Sequence, residues 1–273
     1  MSEDIVPVRE PAPAKVNLAL HVRGRMADGR HALETIFAFC TDGDRVEATE
    51  ASSLSLTIDG PFAGGLSTDG DNLVLRAGEM LRDAAGSTAG AELRLTKNLP
   101  VASGIGGGSA DAAAALRALT ALWRIDPAHA STVAPKLGAD VPACLLSMTA
   151  RGEGAGDRLQ LVDDPRIAGT PILLVNPLEA LSTAAVFAGW DGTDVGPLDD
   201  WIAGRNDLEP PASEIVPAIG DILDWMGVQD GVTLARMSGS GATCFALFDD
   251  EPTRDAASAA CPSNWWHLAT NLR

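Results

Sequence analysis

The sequence is poor in cysteine, and the few cysteines it has are far apart. Cys40, Cys144, Cys244 and Cys261 form no CxxC pair, and each lies among apolar or small residues. Because structural zinc sites need closely spaced ligand pairs, this pattern argues against zinc and favours buried, reduced thiols. We therefore predict no metal site formed by a cluster of protein side chains.

Positive charge is also scarce. Lysine and arginine together number 20 against 37 acidic residues, which gives a formal net charge of -17. A field of this sign repels nucleic acid and anionic membrane surfaces, so neither is an expected partner. An anionic ligand would have to be bound by local donors. Nothing in the composition indicates an oligomeric state.

Long apolar runs are absent from the sequence, and none approaches the length that spans a bilayer. The first ten residues lack a basic start followed by an apolar stretch, so we expect no signal peptide and a cytoplasmic protein without membrane association. With 46% hydrophobic residues in 273, the chain can bury a sizeable core in one large domain or two smaller ones.

Two common nucleotide-binding motifs are missing. A P-loop requires Gly-Lys-Ser/Thr, but none of the three lysines, Lys15, Lys97 and Lys136, follows a glycine. The dinucleotide pattern GxGxxG beginning at Gly104 would need glycine at position 109, which is Ser109. Any phosphate-binding loop in this chain must therefore be of another kind.

A glycine-rich segment, Pro-Val-Ala-Ser-Gly-Ile-Gly-Gly-Gly-Ser-Ala, occupies residues 100–110. It lies between a predicted strand at 91–96 and a predicted alanine-rich helix at 110–122. Glycines allow positive φ and bring backbone N–H groups close to a ligand, and a helix start adds further donors. The Ser109 hydroxyl can cap the helix or reach a metal ion on the phosphates. The alternative is a flexible connector with an ordinary serine cap.

Hydrophobic periodicity predicts a mixture of strands and helices. Residues 14–22 alternate, with Lys15, Asn17 and His21 on the face opposite the apolar one, which predicts a strand with one buried face. Further strands are predicted at 32–40, 54–58, 171–175 and 243–248, and helices at 72–85 and 215–226. We predict a domain boundary near Gly156, where the composition changes.

Residues 100–110 resemble the phosphate motif of the GHMP kinase superfamily, Pro-x-x-x-Gly-Leu-Gly-Ser-Ser-Ser-Ala. Glycines at 107 and 108, in place of the first two serines, are typical of a branch in the non-mevalonate isoprenoid pathway. Segments 13–18 with 27–31, 137–142 and 237–243 agree with that branch. The resemblance implies an α+β, two-domain GHMP kinase fold. Its N-terminal domain, residues 1–156, would be ribosomal protein S5 domain 2-like, and its C-terminal domain, residues 157–273, ferredoxin-like.

The resemblance also implies ATP-dependent phosphorylation of an alcohol group on a small-molecule cytidyl diphosphate substrate, with Mg²⁺ as the metal. It assigns catalytic roles to Lys15 and Asp140. The residues alone leave alternatives, because Asp140 also suits the N-cap of a short helix over 142–146 and Lys15 could be a solvated lysine. Val141, which precedes Pro142, is expected to be extended.

Substrate contacts implied by the resemblance are Asn17 for the methylerythritol hydroxyls, His31 for cytosine, Thr183 and Phe187 from the C-terminal domain, and Gly239. By themselves Phe187 would fit core packing and Gly239 a hairpin turn. Position 30 departs from the family, which commonly has tyrosine there, whereas this chain has Arg30 and no tyrosine at all. A guanidinium can stack on a base and pair with a diphosphate, so Arg30 is predicted to substitute.

The resemblance implies ATP binding for the whole glycine-rich segment and for Asn72 and Lys97 outside it. By itself, Lys97 could equally be the solvated end of a strand. The predicted ATP-binding residues are Pro100, Val101, Ala102, Ser103, Gly104, Ile105, Gly106, Gly107, Gly108, Ser109, Ala110, Asn72 and Lys97.

Two other functions stay open. One is a different alcohol kinase, such as a homoserine or mevalonate kinase, and the other is a nucleotide-binding regulator without turnover.

Overall fold

The computed structural model describes residues 6–273. The first five residues, part of the segment in which no signal peptide is predicted, lie outside the described residues. The chain forms two compact units, each assembled from separate segments. Within the described residues, the first unit comprises residues 6–14, Asp42–Val101 and Gly106–Ser147, and the second comprises Lys15–Thr41, Ala102–Ile105 and Met148–Arg273. The predicted boundary at Gly156 falls within the second unit and stays a prediction.

Two long strands, β1 (Val8–Arg25) and β2 (His31–Ala51), pair with each other and contribute residues to both units. In the first unit, β2 pairs antiparallel with β4 (Gly90–Thr96) from Arg45 onward. Strand β4 also pairs in parallel with β3 (Leu54–Asp59). The predicted strands at 14–22, 32–40, 54–58 and 91–96 are therefore confirmed, and the first two are longer than predicted.

Within the described residues the first unit contains four helices, and the alanine-rich helix contacts the other three. This central helix, α2, has consecutive alanines at 112–115 that are all fully buried, and such small side chains let the neighbouring helices approach closely. The predicted helices at 72–85 and 110–122 are confirmed, the second beginning three residues earlier than predicted. The bounds are α1 (Leu73–Ala85), α2 (Gly107–Trp123), α3 (Pro127–Leu137) and α4 (Val141–Leu146).

In the second unit, residues 33–37 of β2 pair antiparallel with β5 (Ala150–Gly154), which pairs in turn with β6 (Arg158–Leu161). A separate antiparallel sheet has the order β10-β7-β9-β8. This order, with helices between the strands, is the ferredoxin-like arrangement, as predicted. Its strands are β7 (Pro171–Asn176), β8 (Val232–Met237), β9 (Cys244–Phe248) and β10 (Trp266–Asn271).

The helices of the second unit are α5 (Thr183–Gly189), α6 (Glu209–Ile215), α7 (Ala218–Gly227) and α8 (Glu251–Ala259). The prediction of one helix over 215–226 is wrong. Val216 has φ -126° and ψ 87°, which is not helical, and Pro217 follows it. A residue before proline is pushed out of the helical region, so the chain stops one helix and starts another.

A buried cluster that includes Leu173, Val175, Ile219 and Phe248 forms the core between the second unit's sheet and its helices. Cys40, Cys144 and Cys244 are buried and not disulfide-bonded, as predicted, and Cys261 is partly buried. No helix within residues 6–273 is long and apolar enough to cross a membrane.

Candidate active site

Lys15 and Asn17 lie next to each other on β1 in the second unit. The Lys15 ammonium donates to Asn17 Oδ1 at 2.8 Å and lies 5.3 Å from the centre of the Phe37 ring. Asn17 Nδ2 donates to Thr35 Oγ1 at 2.8 Å. The shared face predicted from the alternation is confirmed. That face is not solvated, however, because every residue from 14 to 22 is buried.

Residues 102–105 of the glycine-rich segment are fixed within the second unit. Gly104 has φ +75°, and a Cβ there would lie 2.5 Å from the Gly241 carbonyl oxygen. Ser238 Oγ donates to the Gly104 carbonyl at 3.1 Å and accepts the N–H of Asn17 at 3.1 Å. Ser238 thus connects the glycine-rich segment, the β8–β9 turn and β1, a link that the sequence analysis missed.

The β8–β9 turn contains Gly239, so the hairpin interpretation is confirmed, and its contact with a substrate stays a prediction. The turn joins two antiparallel strands, as in a hairpin, and it also contacts the glycine-rich segment through Gly241. A Cβ at Gly239 would lie 3.1 Å from Asn17 Oδ1, so Gly239 borders the Lys15–Asn17 pair. The Asn206 amide donates to the Gly239 carbonyl at 2.8 Å and holds the turn in place.

Residues 106–110 begin helix α2 in the first unit. Gly106 is the N-cap with φ +67°, and the cap has no side-chain hydrogen bond. Ser109 is the third residue of the helix, so the alternative that it caps the helix is wrong. The first N–H groups of a helix have no intrahelical acceptor and carry the positive end of the helix dipole. This end of α2 can therefore receive a phosphate group, as the sequence predicts.

Asp140 is the N-cap residue of α4 in the first unit, with φ -84° and ψ -15°. Its side chain makes no capping hydrogen bond, so its position fits the structural alternative but the capping interaction is not formed. Val141 is the first residue of α4, and the prediction that it is extended is wrong. A proline is tolerated in the first turn of a helix because its missing N–H has no intrahelical acceptor there.

Asn72 and Lys97, both predicted to bind ATP, have structural partners in the first unit. Asn72 is the N-cap of α1, where its Oδ1 accepts the N–H of Val74 at 2.9 Å. Lys97 is buried between Asp44 and Asp111, so it is not a solvated strand end. Their direct contact with ATP stays a prediction.

His31 lies in an aromatic group of the second unit. Its ring stacks on Phe187 with centres 4.7 Å apart, and Trp190 meets it edge-on at 5.6 Å. Burial, with a smaller effect of Arg25, lowers the pKa of His31, so the ring is neutral at pH 7. His31 Nε2 is buried and has no hydrogen-bond partner within the described chain. Such an atom is suited to a ligand that supplies the missing partner.

Trp190 was missed by the sequence analysis, although its spacing of three residues from Phe187 was a usable signal. Thr183 is exposed and its hydroxyl lies 2.9 Å from that of Ser240. Arg30 is half exposed, and its Nε donates to Asp28 at 2.8 Å while Nη1 lies 3.6 Å from Asp157. The Arg30 guanidinium therefore pairs with carboxylates at the turn.

Comparison with known proteins identifies the family. The family of GHMP kinases N terminal domains matches residues 72–148, and the family of GHMP kinases C terminal domains matches residues 191–267. This chain belongs to the GHMP kinases. The two matches together span more than half of it.

Curated relatives agree with the family matches. A 4-diphosphocytidyl-2-C-methyl-D-erythritol kinase of Rhizorhabdus wittichii is 52% identical, over 97% of this chain and 94% of the relative. The kinase of the same name from Sphingopyxis alaskensis is 50% identical, over 97% of this chain and 99% of the relative. Both similarities extend over nearly the full length of this GHMP kinase.

Solved structures give the same result. A crystal structure of 4-(cytidine 5'-diphospho)-2C-methyl-D-erythritol kinase has a TM-score of 0.82 and 32% identity, covering 97% of this chain and 98% of that one. A homoserine kinase from Cytophaga hutchinsonii has a TM-score of 0.75 at 17% identity, covering 100% of this chain and 96% of that one. At that identity the second match shows the shared fold alone.

Proposed function

We propose that this GHMP kinase transfers the γ-phosphoryl group of ATP to the 2-hydroxyl of 4-(cytidine 5'-diphospho)-2-C-methyl-D-erythritol in the non-mevalonate isoprenoid precursor pathway. The observation that carries the proposal is a sequence identity of 52% and 50% with two kinases of that name, over 97% of this chain. The two rival functions, a different alcohol kinase and a nucleotide-binding regulator without turnover, lose support for the same reason. Because the reaction uses ATP, we propose that the protein acts in the cytoplasm.

Asp140 is proposed as the general base. The acceptor oxygen attacks the γ-phosphorus while its proton passes to the Asp140 carboxylate, and the bond between the γ-phosphorus and the bridging oxygen breaks to release ADP. The N-cap position at α4 places this carboxyl group at the start of the helix.

Lys15 is proposed as the electrostatic partner of the reacting hydroxyl. Its buried ammonium is oriented by Asn17 Oδ1, and a positive charge near the hydroxyl favours loss of the proton. Asn17 is proposed to orient the methylerythritol hydroxyls, because its Oδ1 has a second lone pair besides the one that Lys15 uses.

The base pocket is proposed to consist of His31 and Phe187. A cytosine ring can stack on an aromatic side chain, and the buried Nε2 of His31 can hydrogen-bond to the base edge. Thr183 and Gly239 are proposed to contact other parts of the same substrate. Arg30, engaged with Asp28, is proposed to contribute only weakly.

The ATP phosphates are proposed to bind the glycine-rich segment, and Mg²⁺ to accompany them. Among the described residues no group of three His, Cys, Asp or Glu side chains could hold a metal ion. This fits Mg²⁺, which usually keeps its waters and binds substrate phosphates with only one or two protein oxygens. The Ser109 hydroxyl, in the first turn of α2, would be its protein ligand. The ion would neutralise charge on the transferred phosphoryl group.

The test is to measure ADP release from ATP with and without the cytidyl substrate. We expect turnover that depends on that substrate, and competitive inhibition by CMP, since only a site that reads cytidine should respond to it. Mevalonate and homoserine serve as control acceptors. Equal turnover with a control acceptor would contradict the proposal, and so would ADP release that does not depend on the cytidyl substrate.

A further inference from the structure

A buried ion cluster lies beneath the start of α2 in the first unit. The Lys97 ammonium donates to Asp111 Oδ2 at 2.8 Å and also to Asp44 Oδ2. The side chains of Lys97, Asp44 and Asp111 are 3%, 0% and 5% exposed. Lys97 directly follows β4, Asp44 lies on β2 and Asp111 lies on α2, so the cluster joins β2 to the segment from β4 to α2.

The two carboxyl groups have different surroundings. Asp44 Oδ1 accepts the backbone N–H groups of Asn98 and Leu99, the latter at 2.8 Å. Asp111 Oδ1 is buried and has no hydrogen-bond partner within the described chain. Hydrogen bonds to a carboxylate favour its ionised form, whereas burial without partners favours the neutral acid. In line with this, burial raises the pKa of Asp111 to about 8.

The charges of the cluster therefore balance at neutral pH. Lys97 carries one positive charge, Asp44 one negative charge, and Asp111 is mainly the neutral acid. Removal of the ammonium would leave a buried, uncompensated carboxylate in this place. The helix start above it would then have a negative charge behind its phosphate-binding donors, and this charge would repel a nucleotide.

Gly107 connects the cluster to the glycine-rich segment. A Cβ at Gly107 would lie 3.0 Å from the Lys97 ammonium and 3.8 Å from Asp44 Oδ2. Gly107 is also the first residue of α2. The ammonium is thus directly beneath the first turn of the helix, where the dipole disfavours a cation unless nearby carboxyl groups stabilise it.

We propose that Lys97 is a positioning residue for nucleotide binding, because it neutralises Asp44 beneath Gly107 and so lets the α2 start bind phosphate without an opposing charge. The Lys97 ammonium then acts through the helix start and does not itself contact the ATP phosphates, whereas contact through the Lys97 backbone stays a prediction. The inference rests on the proposed function in one respect, that ATP phosphates occupy this segment.

The test measures the dissociation constant for ATP, in the presence of Mg²⁺ and without acceptor, by titration calorimetry. K97M removes the charge but keeps a long side chain, and we expect it to raise the dissociation constant about 10- to 100-fold. The double variant K97M/D44N restores neutrality, and the asparagine oxygen can still accept the N–H groups of Asn98 and Leu99. We expect this double variant to return to within about fivefold of the original protein.

The matched control is the exposed pair Arg94–Asp59 of the same unit. R94M and R94M/D59N repeat the same changes of charge, and ATP binding should stay within about twofold. Thermal melting of every variant verifies that it is folded. If the cluster had only a structural role, K97M/D44N would bind ATP as weakly as K97M or more weakly. The same result would follow if the Lys97 ammonium contacted ATP directly. That result overturns the inference.

If K97M does not fold, D44N carries the test. This variant keeps the ammonium, so ATP binding should not weaken, and a tenfold loss would overturn the inference. The calorimetric measurement also separates this inference from the proposed function. ATP binding by a protein that does not phosphorylate the cytidyl compound would contradict the proposed function while leaving the cluster open to the same test.

Discussion

The two units of the molecule carry different kinds of chemistry. The first has the backbone donors at the start of α2, the ion cluster of Lys97 and the carboxylate of Asp140. The second has the stacked pair His31–Phe187 and the amide of Asn17. Helix donors and balanced charges are suited to phosphate, whereas rings and amides are suited to a base and to hydroxyl groups. Variants in the first unit should therefore alter nucleotide binding or the chemical step, and those in the aromatic group should alter acceptor binding.

The largest effect is expected for D140N. Loss of the base should lower kcat by about 10²- to 10⁴-fold with little change in either KM. D126N is the matched control, because Asp126 is the N-cap of α3 and asparagine caps a helix equally well. Steady-state kinetics measure both variants. Near-normal turnover by D140N would mean that the chemical step does not depend on Asp140 of the first unit.

F187A should raise the KM for the cytidyl substrate by about 5- to 100-fold, which is the range expected from loss of base stacking. The KM for ATP should change by less than about twofold. F187L is the control, because it keeps an apolar side chain but removes the ring. A rise in the KM for ATP as large as that for the acceptor would break the division of roles between the units.

D111N should change how stability depends on pH. The pKa of Asp111 is raised in the folded protein to about 8, so between about pH 4 and pH 8 the folded state holds a proton that the unfolded state releases. The free energy of unfolding should therefore fall as pH rises through this window, by at most about 1.4 kcal/mol per pH unit, and D111N should lack this fall. Urea unfolding at several pH values measures the difference. Parallel curves for the two proteins would mean that Asp111 is ionised when folded.

The smallest effect is expected for R30M. Arg30 is half exposed and its charge is engaged with Asp28, so the KM for the cytidyl substrate should rise by only about two- to fivefold. Steady-state kinetics with the cytidyl substrate and with ATP measure this rise in KM. A rise of tenfold or more would instead assign Arg30 the place of the family's tyrosine at the base.

Local patterns predicted much of the fold. Alternation located β1, β3 and β4, and the alanine-rich run located α2, because strand and helix periods can be read from neighbouring residues. Prediction failed where local rules competed. The break at Val216–Pro217 and the helical start at Val141 both involve a proline, which ends a helix in one position and is accepted in the first turn in another.

The candidate site was predicted in part. Residue type and spacing singled out the glycine-rich segment and the shared face of Lys15 and Asn17. The roles of Lys15, Asn17, His31 and Asp140 came from the resemblance. No local pattern indicated the partnership of Lys97 with Asp44 and Asp111, since Lys97 lies 53 positions from Asp44 and 14 positions from Asp111. Ser238 was missed for the same reason, because its hydrogen bond to Asn17 joins residues 221 positions apart.

By itself, the sequence determined the family, the glycine-rich segment and several of the strands and helices, because each depends on residues that are close together in the chain. Only the tertiary structure decided which polar side chains are buried and what balances their charge. Lys15 and Lys97 illustrate this, since both read as candidates for a solvated lysine and both are buried, one beside an amide and the other between carboxyl groups. Burial and charge balance depend on residues brought together from distant parts of the chain, and no local pattern encodes them.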